Sequence, residues 1–75
     1  MNKITVRIDG MACGMCEAHV NDAVRSAFHV KKVRSRYRTG VTEIVSEELP
    51  DPEKLREVIE KTGYRVTAIT VDRSE

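Results

Sequence analysis

Hydrophobic rhythm changes on either side of two closely spaced cysteines, and that change fixes where the chain turns. From Ile4 to Asp9 apolar and polar residues alternate, the period of a strand. From Ala18 to Phe28 apolar residues recur at helical spacing: Val20, Ala23, Val24, Ala27 and Phe28 fall at i, i+3, i+4, i+7 and i+8. Between the two patterns lies Asp9 to Ala18, DGMACGMCEA, which holds both cysteines of the chain, Cys13 and Cys16. They therefore sit on a strand-to-helix connection, with Cys16 in or beside the first helical turn. Backbone N–H groups without intrahelical partners, and the positive end of the helix dipole, favour a thiolate there. A thiolate is the form that binds metal.

The remaining elements follow in order. Strand 1 is expected from Lys3 to Asp9, with Ile4, Val6 and Ile8 on one face. In helix 1, Glu17 and Asp22 lie toward the positive end and Arg25 toward the negative end. From Val30 the period returns to two: Val33, Ser35 and Tyr37 alternate with Arg34, Arg36 and Arg38, giving a half-buried, half-cationic strand 2. Thr39-Gly40 suits a two-residue hairpin turn. Strand 3 spans Val41 to Ser46, and Ile44 is placed inward because a buried Glu43 would need a partner. Helix 2 opens with Asp51 as N-cap and Pro52 in its first position. Leu55, Val58 and Ile59 form its buried stripe, Glu57 and Lys61 an i,i+4 pair, and Gly63 is expected as its C′ residue. Strand 4 runs from Arg65 to Val71, with a frayed tail over Asp72–Glu75. The order βαββαβ predicts an α+β, ferredoxin-like fold in one domain, residues 1–75: a four-stranded antiparallel sheet with both helices on one face.

Composition narrows the function. A chain of 75 residues buries only about 60% of its unfolded surface, so a small core carries its stability. With two cysteines three positions apart, no disulfide can staple distant segments. A net charge of +1 dictates no partner by bulk attraction, and 33% charged residues give a soluble surface. No apolar run approaches a membrane span, and MNKITVRIDG lacks the apolar stretch of a signal peptide. The expected compartment is the cytoplasm, where thiols stay reduced. The starting methionine favours a free-standing protein over a module of a transporter.

A Cys-x-x-Cys pair alone leaves alternatives. A zinc ribbon needs a second ligand pair; there is no third cysteine, and His19 and His29 do not match finger spacing. A thioredoxin-like redox site also uses a helix N-terminus, but only 12 residues precede Cys13, room for one strand. Two soft thiolates on an exposed loop suit a soft ion of low coordination number, and Cu(I) accepts two-coordinate geometry. His19 stands one helical turn after Cys16; as a third ligand its imidazole would favour Zn(II), and a solvated helix histidine is the plainer reading.

The segment Gly10-Met11-Ala12-Cys13-Gly14-Met15-Cys16 resembles the GMxCxxC signature of heavy-metal-associated domains, which occur as copper chaperones and as N-terminal modules of copper-transporting P-type ATPases. Lys61-Thr62-Gly63-Tyr64 is similar to the Gly-Tyr segment before the last strand of bacterial members. The resemblance implies that Cys13 and Cys16 are the metal ligands. It implies that Met11 packs beneath the loop, and that Tyr64 lies near the site when it is not simply capping the core. Four positions depart from the family pattern. Ala12 replaces a hydroxyl residue, Met15 is an exposed spacer or an extra soft donor, His29 stands where glycine is common, and Ser35 replaces a branched apolar residue, which predicts a looser core.

The expected function is then Cu(I) carriage, with transfer to a copper-transporting P-type ATPase or another acceptor protein by thiolate exchange. Zn(II) or Cd(II) binding and mercuric-ion detoxification are the alternatives, and thiol–disulfide exchange is a third class. No substrate bond is broken, so no catalytic residue is assigned. The chain is expected to be a monomer, or a dimer bridged by metal through four sulfurs. Lys31, Lys32, Arg34, Arg36 and Arg38 cluster with no acid between Asp22 and Glu43. They read as a solvated sheet face, or as a patch for an acidic partner. Phe28 and Tyr37 are expected to point inward and Tyr64 sits before the last strand, so nucleic-acid binding through stacked bases is not expected.

Overall fold

The computed structural model describes residues 2–12 and 14–73. Its elements are β1 (Asn2–Asp9), α1 (Gly14–Ala27), β2 (Lys32–Arg36), β3 (Val41–Ser46), α2 (Pro52–Glu60) and β4 (Arg65–Arg73). The strands form one antiparallel sheet in the order β2-β3-β1-β4, the arrangement the βαββαβ sequence implies. Both helices cover one face. Ile4, Val6 and Ile8 of the interior strand β1 meet Val20 and Val24 of α1 and Leu55 and Ile59 of α2 in a single apolar cluster. Val33, Ile44, Val66 and Met11 complete it.

Ile44 faces the core, as charge required, and Glu43 faces the open side, where Lys3 Nζ lies 3.2 Å from its carboxylate. Thr42 and Ser46 share the inward face of β3 with Ile44. Ser35 is also buried, yet the core is not loosened there. Its hydroxyl donates to Asn21 Oδ1 of α1 at 2.7 Å and lies 2.9 Å from Thr42 Oγ1. A serine has one proton to give, so the Thr42 hydroxyl is the donor in the second bond. Among the described residues no buried side-chain nitrogen or oxygen lacks a partner.

Other expectations shift. The hairpin between β2 and β3 is a four-residue turn, Tyr37 to Gly40, because Arg36 pairs with Val41. The demand for glycine was right: Gly40 has φ 69°, and its carbonyl accepts from Ile8 N–H at 2.7 Å. Tyr37 thus leaves the strand, but it still packs against the core. Ala27 is exposed; α1 ends there, and Phe28 folds back half-buried through its N–H to the Val24 carbonyl. Asp51 caps α2 by accepting from Glu53 N–H at 3.0 Å. That helix closes at Lys61, one position inside the expected end, and two tighter bonds carry the chain to Gly63 at φ 103°. Val58 is half-buried rather than fully covered. β4 runs on through Asp72 and Arg73, paired with Lys3 and Asn2, so the chain is ordered into the stretch expected to fray; Ser74 and Glu75 lie outside the described residues.

A register shift between Arg7 and Ile8 leaves Thr67 as an extra residue of β4, its hydroxyl donating to the Arg7 carbonyl at 3.3 Å. The bulge brings Val66 opposite Ile8 while Ile69 and Val71 stand opposite Val6 and Ile4. Without it, either Val66 or Ile69 would turn to the open face; Val71, near the strand end, is exposed.

Candidate metal-binding loop

β1 ends at Asp9, and the loop turns on Gly10 and Met11 before α1 begins at Gly14. Met11 is 8% exposed and belongs to the core cluster, so its thioether is a floor beneath the loop. Ala12 is exposed. Cys13 lies outside the described residues. Gly14 and Met15 open the helix on the solvent side, Met15 being 71% exposed. Cys16 is the third residue of α1, half-buried and packed against the core. Its place in the first turn is the one the change of period predicted, where the helix N-terminus favours an anionic sulfur.

Tyr64 borders the same loop. Its ring is half-buried against the core, and Cδ1 lies 3.4 Å from where a Cβ on Gly10 would stand. It caps the core edge and stands beside Gly10 at the start of the loop. His19 is exposed on α1. Among the described residues no group of three or more His, Cys, Asp or Glu side chains is gathered to hold a metal.

Sequence reasoning missed the contact that anchors the start of α1. Tyr37 N–H donates to Glu17 Oε2 at 2.8 Å, tying the residue after Cys16 to the first residue of the β2–β3 turn. One turn along the helix, Asn21 accepts from Ser35. Glu17 and Asn21 thus form a polar seam, at i and i+4, along which α1 is docked on β2. Only the dipole preference of Glu17 was visible in sequence; the partner is a backbone group 20 residues away.

A family model for the heavy-metal-associated domain matches residues 5–65, from within β1 to the start of β4. The chain belongs to the heavy-metal-associated domain family. Over 63 residues this heavy-metal-associated domain is 32% identical to mercuric reductase of Shigella flexneri, a match covering 84% of the chain and 11% of that protein. The chain therefore spans about a tenth of the length of that curated relative. Among solved structures, a copper-binding domain from a P-type ATPase superposes with a TM-score of 0.78 at 26% identity, covering 97% of this chain and 96% of that one. The CopZ metallochaperone gives 0.77 at 21% identity, covering 87% and 98%, a likeness of fold. No helix of the described residues is long and apolar enough to cross a membrane.

Proposed function

We propose that the chain, acting as one unit over residues 1–75, holds Cu(I) between the thiolates of Cys13 and Cys16 and passes it to an acceptor protein. The observation that carries this is the position of Cys16, in the first turn of α1, after exposed Gly14 and Met15 and packed against the core cluster that holds Met11. Two thiolates satisfy a soft d10 ion without closing around it. An incoming thiolate of the acceptor adds to give a three-coordinate ion, and one of this chain's thiolates then leaves. Each bond made is matched by one broken, no electron moves, and the protein is a carrier rather than an enzyme. The acceptor is a copper-transporting P-type ATPase or a similar metal-accepting protein; the 26% identical ATPase domain supports this choice. A reducing, cytoplasmic setting keeps both sulfurs available. The protein works as a monomer, with a metal-bridged dimer through four sulfurs as its resting alternative.

Mercuric-ion binding is the second reading, favoured by the 32% identity to mercuric reductase. Hg(II) is also soft and content with two thiolates, so the ligand set does not separate it from Cu(I). Titration of the reduced protein against a chromophoric Cu(I) chelator, with Hg(II) and Zn(II) as competitors and the product weighed by native mass spectrometry, makes the distinction. Tight one-to-one Cu(I) binding abolished by C13S/C16S is expected. Retention of Cu(I) by C13S/C16S would overturn the site. Selective loss of Zn(II) binding in His19→Ala, with Cu(I) kept, would assign His19 to a zinc-binding mode.

A further inference from the structure

The sheet face away from the helices carries a patterned charge. Across the three strands β2, β3 and β1 the register aligns Lys32, Val45 and Lys3 in one line, Arg34, Glu43 and Thr5 in the next, and Arg36, Val41 and Arg7 in the third. These nine positions hold five cations and one acid. The cations form two rows, one on β2 and one on β1, separated by the width of β3. Strand spacing puts the rows about 10 Å apart, with same-face neighbours along a row about 7 Å apart. Between them lie the half-buried Val41 and Val45, and a depression of about 240 Å³ lined by Lys3, Lys32, Arg34, Glu43 and Val45. On these three strands the acid is Glu43, ion-paired to Lys3 at 3.2 Å, and on the far side of β1 Asp72 of β4 stands opposite Lys3.

We propose that this trough receives an extended acidic polypeptide segment, lying along β3 between the two cationic rows. Alternate side chains of an extended chain repeat at the spacing of the cations along one row, so successive carboxylates can meet Arg34 and Arg36 in turn, with Arg7 across β3 from Arg36 closing the trough on its other side. The aliphatic stems of those carboxylate side chains cover the valine floor, while the residues between them, on the other side of the extended segment, face solvent. Charges on an edge strand commonly guard it against pairing with another chain, which accounts for Lys32, Arg34 and Arg36 on β2. It does not account for Arg7, because β1 is an interior strand and Arg7 stands opposite Val41 and Ala68, whereas Lys3 is answered by Glu43 and by Asp72 opposite it. Nucleic acid fits less well: Phe28, Tyr37 and Tyr64 all pack against the core, leaving no aromatic platform on this face. A compact polyphosphate would have to sit over the carboxylate of Glu43.

The inference does not depend on which metal the cysteines hold, and its test needs none. The reduced, metal-free, nitrogen-15-labelled protein is titrated at low salt with a decapeptide of alternating glutamate and valine, then with oligothymidylate. Saturable shifts should be confined to amides of β1, β2 and β3 around Thr5, Arg34 and Glu43. Affinity should fall roughly tenfold or more in R34E/R36E, fall again as salt rises, and stay unchanged in K54E/R56E on α2. R7Q/K32Q, which draws on the opposite rows, should weaken binding too and serves if the charge-reversed protein misfolds. Absence of saturable shifts, shifts centred elsewhere, or equal affinity of R34E/R36E and the parent would overturn the proposal. Tighter binding of oligothymidylate on the same face would overturn the acidic polypeptide as its occupant.

Discussion

Replacing Ser35 by alanine should destabilise the protein more than replacing Ser35 and Thr42 together. Ser35 is 6% exposed and Thr42 0% exposed, so neither hydroxyl can turn to water. In Ser35→Ala the Thr42 hydroxyl loses the acceptor 2.9 Å away and Asn21 Oδ1 loses its donor at 2.7 Å. Asn21 is half-buried and can recruit solvent, but Thr42 cannot. An orphaned buried hydroxyl costs about 1–3 kcal/mol. Taking about 2 kcal/mol, the melting temperature of a domain this small should fall by roughly 10 °C. In S35A/T42V the hydroxyl is gone and a methyl of the same shape fills its place, so much of the loss should return. Thermal and urea unfolding of the four proteins of the cycle, under reducing conditions and without metal, measures the coupling. Additive losses, or a double variant weaker than Ser35→Ala, would refute the reading of these groups as one hydrogen-bonded unit.

Three further outcomes follow from the turn at Gly40, the start of α1 and the open face of the sheet. Gly40→Ala should cost about 2 kcal/mol, since φ is 69° and a Cβ would stand 2.8 Å from the Ile8 carbonyl oxygen; amide exchange at Ile8 should quicken along with the lowered stability. Glu17→Ala should lose about 1.5–3 kcal/mol of unfolding free energy with the charge-assisted bond to Tyr37 N–H, whereas Glu17→Gln, which keeps an acceptor oxygen, should recover a large part; equal loss in both would show that the negative charge at the helix start, not the tether, is what counts. The hydrogen bond and the charge of Lys3, with Arg36 and Arg34 adding, hold Glu43 below the ordinary glutamate range. Because the folded-state value is depressed, its stabilising effect is present above the ordinary value and is lost as pH falls through the folded one. Lys3→Met should therefore raise the Glu43 titration midpoint seen by NMR, and the stability gap between parent and variant should be small, salt-sensitive and closed in acid.

Much of this structure was legible because its signals are local. The alternation of Ile4, Val6 and Ile8, the 3.6-residue stripe through Val20 and Val24, and the Asp51-Pro52 start each commit a segment before any tertiary contact forms. Glycine at position 40 announced a turn, but its length depended on where Arg36 met Val41, a matter of register. The apolar residues of β4, at 66, 69 and 71, fit no single period of two, and only the bulge at Thr67 reconciles them. Ser35 misled for a related reason. Read alone it is a small polar residue in place of a packed one; its worth lies in Asn21 and Thr42, 14 and 7 positions away. On the loop, Cys16 lies in the first helical turn, where the change of period put it, Met11 is buried as the family resemblance implied, and Met15 is exposed, while the Glu17 tether could not be seen from sequence.

The loop is fastened differently on its different sides, and this bears on how an ion could leave it. Below, Met11 is fixed in the core; along α1, Glu17 and Asn21 bind the helix to the turn and to β2; at the margin, the Tyr64 ring abuts Gly10. Toward solvent, Ala12 and Gly14 offer little bulk, and the Met15 side chain is 71% exposed. A thiolate at Cys16 would therefore be held by a rigid base, while anything bound above it stays open to a third sulfur. Loosening the base and widening the opening are separate operations on such a loop. If exchange proceeds as proposed, Glu17→Ala should disturb how tightly the ion is held, whereas added bulk at Gly14, where a Cβ meets nothing within 4 Å, should chiefly slow the approach of an acceptor.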